Sequence, residues 1–136
     1  MDLIILALAP IFIIALYIFI RDKYEREPLW ALLIALAGGA VTVIPVLYME
    51  RFLGNWVDLR FIDLSHAVGT AFLVAGFSEE LWKLLAVLLL FYRSKQFNEK
   101  FDGIVYAVFV SLGFAAVENV LYVSQGGAEV GWMRAI

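Results

Sequence analysis

Aspartate, glutamate, lysine and arginine are gathered into short segments of this 136-residue chain, leaving four apolar stretches, each near the length of a bilayer-spanning helix. Leu3 to Ile20 and Leu29 to Met49 contain none of these four residue types. Leu64 to Tyr92 contains only Glu79, Glu80 and Lys83, and Gly103 to Ser124 contains only Glu118. A helix needs about 20 predominantly apolar residues to cross the hydrocarbon, and the absence of water there restricts spanning structures to helices and closed barrels. The predicted fold is therefore all-α: a polytopic transmembrane helical bundle of four spans, about 3–20, 29–49, 64–92 and 103–124, in one domain over 1–136. Composition agrees, with 64% hydrophobic residues, 17% charged residues and a mean hydropathy of +0.91. A water-facing surface needs more polar residues than that.

The net charge of -3 is small and the basic residues lie in short connections, so no patch is available for nucleic acid. Cysteine is absent, which removes disulfides, thiolate nucleophiles and Cys-ligated metals together. The first stretch reads as a retained span and not as a signal peptide, because Asp2 stands where a basic n-region belongs and the apolar run is too long. Pro10 predicts a kink within it. In the second stretch, Ala31, Ala35 and Gly39 recur at four-residue spacing, a pattern that lets helices approach closely. Glu50 to Asp63 reads as a polar connection whose Leu53, Trp56 and Phe61 suit the membrane interface. Ser124-Gln125-Gly126-Gly127 reads as a helix stop.

Basic residues set the expected orientation. Arg21, Lys23 and Arg26 fall in the first connection and Arg93, Lys95 and Lys100 in the third, against Arg51 and Arg60 in the second. The loops 21–28 and 93–102 are thus predicted to be cytoplasmic, in an integral membrane protein.

Charge inside the third and fourth stretches is the functional signal. An Asp, Lys or Arg at a bilayer centre costs roughly 2.5–3.5 kcal/mol, so clustered intramembrane charge points to a site. Glu79 lies 14 residues before Arg93 and Glu118 lies 15 after Gly103. In an antiparallel hairpin this puts both roughly 21–22 Å from the same membrane face, so the three carboxylates are expected to meet at one level. Ala71 and Ala75 lead to Glu79 in four-residue steps, and Ala107, Ser111 and Ala115 lead to Glu118, which predicts tight packing with the acids turned inward.

Lys83, four residues after Glu79 and three after Glu80, has salt-bridge spacing. One Glu with one Lys reads as a register-fixing ion pair. Three Glu against one Lys leave surplus carboxylates that must be protonated, metal-bound or hydrated. The chemistry this suits is water activation, with one acid of the Glu79/Glu80 pair protonated while the other acts as general base. Asn119 has two readings, an amide donor to a developing oxyanion and an interhelical hydrogen bond.

These residues carry a resemblance. Phe77-Ser78-Glu79-Glu80-Leu81-Trp82-Lys83 resembles the Glu-Glu-x-x-Lys motif of the PrsW family of bacterial intramembrane proteases. Phe101-Asp102-Gly103-Ile104-Val105-Tyr106, with Ser111-Leu112-Gly113-Phe114-Ala115 and Glu118-Asn119-Val120-Leu121-Tyr122, is similar to that family's second motif. Ala9-Pro10 and the Asp22-Lys23-Tyr24 to Glu27-Pro28 connection extend the likeness over nearly the whole chain.

The resemblance implies peptide-bond hydrolysis in or beside the membrane, with membrane-anchored anti-sigma factors as the substrate class. Glu79 and Glu80 become the candidate catalytic carboxylates, Glu118 and Asn119 complete the second motif, and Lys83 matches the family's basic position. Family members continue into helices bearing catalytic histidines, which predicts that this chain is the N-terminal part of a longer protease. The other reading is a reduced relative.

His66, the only histidine, stands 13 residues before Glu79, an axial separation near 20 Å on one helix, and reads as an interfacial polar residue. Zinc sites normally recruit His or Cys, so the cofactor is undetermined at this stage, with a divalent metal such as zinc expected only in a complete enzyme. The competing classes are a scaffold that binds a partner helix and a proton- or cation-handling protein. Sequence sets neither the substrate's identity nor the oligomeric state.

Overall fold

The computed structural model describes residues 2–21, 27–99 and 101–135, with side chains placed for residues 4, 5, 7–21, 27–99 and 101–125. The described residues form helices α1 (Asp2–Arg21), α2 (Leu29–Arg60), α3 (Asp63–Gly69), α4 (Ser78–Phe91) and α5 (Asp102–Ala135), with a π-helical segment, Thr70–Phe77, joining α3 to α4. No strand occurs among them, as the all-α reading requires. Two helices, Leu29–Arg60 and Asp102–Gln125, are long and apolar enough to cross a membrane, and Ala7–Arg21 is a shorter apolar helix. Lys23, Arg26 and Lys100, used above for orientation, lie outside the described residues, as does the Asp22-Lys23-Tyr24 part of the resemblance.

Two sequence expectations are corrected. The segment from Glu50 onward is not a polar loop, because α2 continues to Arg60 and only Phe61 and Ile62 turn the chain into α3. This segment has a single glycine and no proline to stop the helix, and its Val57 is fully buried against the Gly69 backbone of α3. Nor does Ser124-Gln125-Gly126-Gly127 end α5, which runs on to Ala135. A mid-helix glycine costs only about 1 kcal/mol relative to alanine, and Ser124 bonds back to the Leu121 carbonyl at 2.7 Å without breaking the helix.

The bundle is organised around α5, which packs against α1, α2 and α4, whereas α1 packs on α5 alone among the described elements. The α2–α5 crossing is a backbone-to-backbone contact. A Cβ on Gly39 would lie 1.8 Å from the Val110 carbonyl oxygen, and one on Gly113 would lie 2.0 Å from that of Leu36. Glycine at both positions lets the helices meet without intervening side chains, the arrangement that favours association where lipid offers no hydrophobic driving force. On one side of this crossing Ala31, Leu32, Ala35, Tyr106, Phe109 and Val110 form a buried cluster, and on the other Val43, Val46 and Phe114 form a second, against which Trp82 and Val117 pack. Many large apolar side chains outside these clusters, among them Phe12, Leu33, Phe72 and Leu89, face outward, which suits lipid and would be untenable in water over so large an area.

One end of the bundle is clasped by polar contacts. The Tyr106 hydroxyl donates to the Glu27 carboxylate in the buried interior, and its ring stacks on Phe91 at 3.9 Å between centroids. Asp102, buried at the start of α5, accepts the backbone N–H groups of Asn98 and Glu99 at 2.9 and 2.7 Å. The α1–α2 and α4–α5 connections are thereby held at the same end. Hydrogen bonds to charged groups contribute about 1.5–3 kcal/mol, so Tyr106→Phe is expected to destabilise the protein by about that amount. Thermal unfolding in detergent checks this, and an unchanged midpoint would count against the clasp.

Candidate active site

The Glu-Glu-x-x-Lys segment begins where the π-helical segment ends. In a π-helix the backbone bonds run to the fifth residue, so side chains four apart no longer stack. Ala71 is accordingly exposed while Ala75 is half-buried, and the small-residue ladder expected to lead to Glu79 is not a single face. Ser78 closes the segment. It is fully buried, and its hydroxyl donates to the carbonyls of Val74 and Ala75. Such insertions are found frequently at functional sites, where they re-aim the residues that follow.

Those residues form one ionic network. The Lys83 ammonium donates to Glu79 Oε2 at 2.9 Å and to Glu80 Oε1 at 3.0 Å. It also sits over the Phe114 ring of α5, 4.3 Å from the centroid. The two carboxylates differ in setting: the side chain of Glu79 is 23% exposed and that of Lys83 13%, but that of Glu80 is 74% exposed. Glu79 thus turns toward the bundle and Glu80 toward its outer surface. The amphipathic pattern of α4 accounts for this, since Trp82 and Ala86 face the core beside Glu79 while Leu84 and Leu88 face out.

Glu118 of α5 lines a cleft of about 150 Å³ between α2 and α5, together with Val43, Leu47, Glu50 and Tyr122. Glu50 is the residue that sequence reasoning missed. It brings an acid of α2 into the same cleft as the Glu118 carboxylate of α5. A signal was available: Glu50 stands four residues after Val46 and seven before Val57, on the stripe that the α2 core residues share.

Asn119 is buried and donates its amide hydrogen to the Ala7 carbonyl of α1 at 3.0 Å, which makes the interhelical bond considered above. Removing the Asn119 bond by Asn119→Ala is expected to cost about 1 kcal/mol and to loosen α1. Hydrogen exchange of α1 measured against that of α2 checks both. His66 lies apart, its Nε2 2.6 Å from Asp58 Oδ1 on the exposed α2–α3 corner. Among the described residues, no three His, Cys, Asp or Glu side chains gather closely enough to hold a metal ion.

The profile of the PrsW family of intramembrane metalloproteases matches residues 27–136. Proteins named Protease PrsW are similar over most of the chain. The one from Clostridioides difficile (strain 630) is 37% identical over 140 residues, covering 100% of this chain and 58% of the relative. That from Geobacillus kaustophilus (strain HTA426) is 38% identical over 120 residues, covering 88% and 51%. That from Bacillus subtilis (strain 168) is 32% identical over 133 residues, covering 95% and 57%. The chain therefore spans a little over half the length of the curated relatives it matches. No solved structure matches. With the family profile covering its sequence from Glu27 to the final residue, both Glu-bearing motifs included, this chain belongs to the PrsW family of intramembrane metalloproteases.

Proposed function

We propose that the chain forms the glutamate-bearing part of an intramembrane peptidase whose substrates are membrane-anchored proteins of the anti-sigma-factor type. The observation that carries this reading is the Lys83-bridged pair Glu79 and Glu80, set on a helix that is otherwise apolar and packed against α2 and α5. In the proposed reaction, Glu79 takes a proton from water as the water oxygen attacks the scissile carbonyl carbon. The proton is then delivered to the departing amine nitrogen as the C–N bond breaks. Lys83 keeps the pair's charge and orientation fixed, Glu80 lies on the side open to a substrate, and Glu118 is the second motif's acid. Asn119 serves by holding α1 to α5.

The family description implies a metal. The described residues do not fit one: Cys is absent, His66 is engaged with Asp58 at a distant corner, and the carboxylates do not gather into a ligand set. No step above is routed through an ion.

Four spans complete the proposal, with Leu3 to Ile20 and Leu64 to Tyr92 crossing alongside α2 and α5. The loops 21–28 and 93–102, on the side of the Tyr106–Glu27 clasp, face the cytoplasm of a bacterial cell. The test is cleavage of a membrane-anchored substrate by the complete natural protein in liposomes. Loss of cleavage in Glu79→Gln and Glu80→Gln with assembly preserved supports the peptidase. Partner binding untouched by both changes and no cleavage would indicate a scaffold, and pH-driven flux without cleavage would indicate ion transport.

A further inference from the structure

A membrane-spanning helix rarely turns a charge toward lipid, yet α4 turns Glu80 outward. Phe77, Glu80, Leu84 and Leu88 follow one another at three- or four-residue spacing and all are exposed, so the carboxylate stands within an apolar face. Glu80 precedes Phe91, where α4 ends, by 11 residues. That is a rise of about 16 Å, close to half of the roughly 30 Å hydrocarbon thickness. The Lys83 ammonium, 3.0 Å from Glu80 Oε1, is shared with Glu79, so one cation serves two carboxylates and acceptor capacity is left on the outer one.

Intramembrane ionisable groups almost always face a bundle interior or a water-filled cavity. The side of α4 that α2 and α5 cover carries Trp82 and Ala86, and among the described residues no element covers the Glu80 side. Just before it, a Cβ built on Gly76 would meet only the Ala71 carbonyl oxygen of its own segment, at 3.2 Å. A second copy is a poor occupant, because two-fold pairing across this face sets Glu80 against Glu80. Charge complementarity calls instead for a partner that brings a donor.

We propose that the Phe77–Glu80–Leu84 face docks the membrane-spanning segment of the substrate, and that Glu80 selects segments bearing a basic or amide side chain at its own depth. This rests on the peptidase reading and on α4 crossing the membrane, and it gives the substrate a chemistry. Phe77 and Leu84 pack against the incoming helix, while Gly76 leaves room for its backbone to come close. The substrate's N–H group shares Glu80 with Lys83 in a charge-assisted bond, which is stronger where water is excluded.

The test places photoreactive benzoylphenylalanine at Leu84, or at Leu89 on the side of α4 that lines a groove with α2. It is done in liposomes with the complete protein carrying Glu79→Gln to prevent turnover. Single-span Leu/Ala peptides bearing one Lys, Gln, Glu or Leu at the depth of Glu80 are offered, and their cleavage by the natural protein is measured in parallel. The Lys and Gln peptides should cross-link from Leu84 and not from Leu89. The KM of the Lys peptide should lie about tenfold below that of the Leu peptide, the factor expected of one charge-assisted bond, and that of the Glu peptide above it. Moving the Lys by two turns along the peptide, or adding Glu80→Gln to the cross-linking protein, should erase the preference. Cross-linking from Leu84 that ignores the donor, that is equal from Leu89, or that reaches only the protein's own chain overturns the inference. If the natural protein still cleaves the peptides in that case, the peptidase stands. If donor-bearing peptides cross-link selectively and none is cleaved, the peptidase falls and the docking face stands.

Discussion

Glu79→Gln is expected to lower substrate cleavage by about 10²–10⁴-fold, the range that a positioned general base contributes. Glutamine keeps the volume and the hydrogen-bonding reach of the side chain but cannot take up a proton from water. Lys83 would still donate to the amide oxygen at position 79 and to Glu80, so the helix should retain its place against Phe114. The effect should therefore appear in kcat with little change in the melting temperature. The two glutamates should also differ when replaced by alanine. Glu79→Ala removes a partly enclosed partner of Lys83 and is expected to lower stability as well as rate, whereas Glu80, with its side chain mostly exposed, is expected to lower rate with little loss of stability. Single-turnover cleavage assays alongside thermal unfolding in detergent separate the two effects. Cleavage by Glu79→Gln at the natural rate would remove Glu79 from the chemistry.

Gly39→Leu and Gly113→Leu are expected to abolish the native α2–α5 packing. Even the first carbon of a new side chain would meet a backbone oxygen at 1.8 or 2.0 Å, and backbone, unlike the tip of a side chain, cannot rotate away. Overpacking ordinarily costs about 1–3 kcal/mol. Here the helices must separate along their length, so the loss is expected to exceed that range and to be seen as aggregation or rapid proteolysis in place of a shifted midpoint. Gly38 supplies the control. A Cβ there would meet only the end of the Leu90 side chain at 2.5 Å, and a leucine rotamer can move. Gly38→Ala should leave the protein folded, and equal damage from Gly38→Ala and Gly113→Ala would show that the close crossing is not what holds α2 to α5.

Much of the architecture was legible because charge exclusion is a blunt and reliable signal in a lipid environment. The helical character of every long apolar stretch, the spacing of Lys83 to both glutamates and the small-residue approach at Gly39 all follow from local sequence. What could not be read was where helices end. Pro28 and Phe61 bound α2, but nothing in the polar residues between Glu50 and Arg60 says whether they are solvated as a loop or wound as a helix, because that is decided by Val57 packing on α3. The error hid Glu50, whose position on the core stripe matters only if the helix continues. The π-helical segment was hidden for a similar reason. Thr70 to Phe77 is apolar and compatible with an α-helix, and no residue within it marks the change of winding. Asn119 shows the converse, since its donor bond to Ala7 joins residues 112 positions apart and no local pattern announces it.

The exclusive attachment of α1 to α5 has a consequence for how the protein is made. Translation delivers the first helix to the membrane before its sole docking partner among the described elements has been synthesised, so the closing contact is among the most non-local in the chain and is expected to form late. Until then the side of α1 that α5 covers, where Ala7 and Ile11 are buried in the finished bundle, lacks its neighbour. Arrival of Asn119 then supplies a donor to the Ala7 carbonyl, so a side-chain bond ties the earliest of the described helices to the last of them only once both are in place.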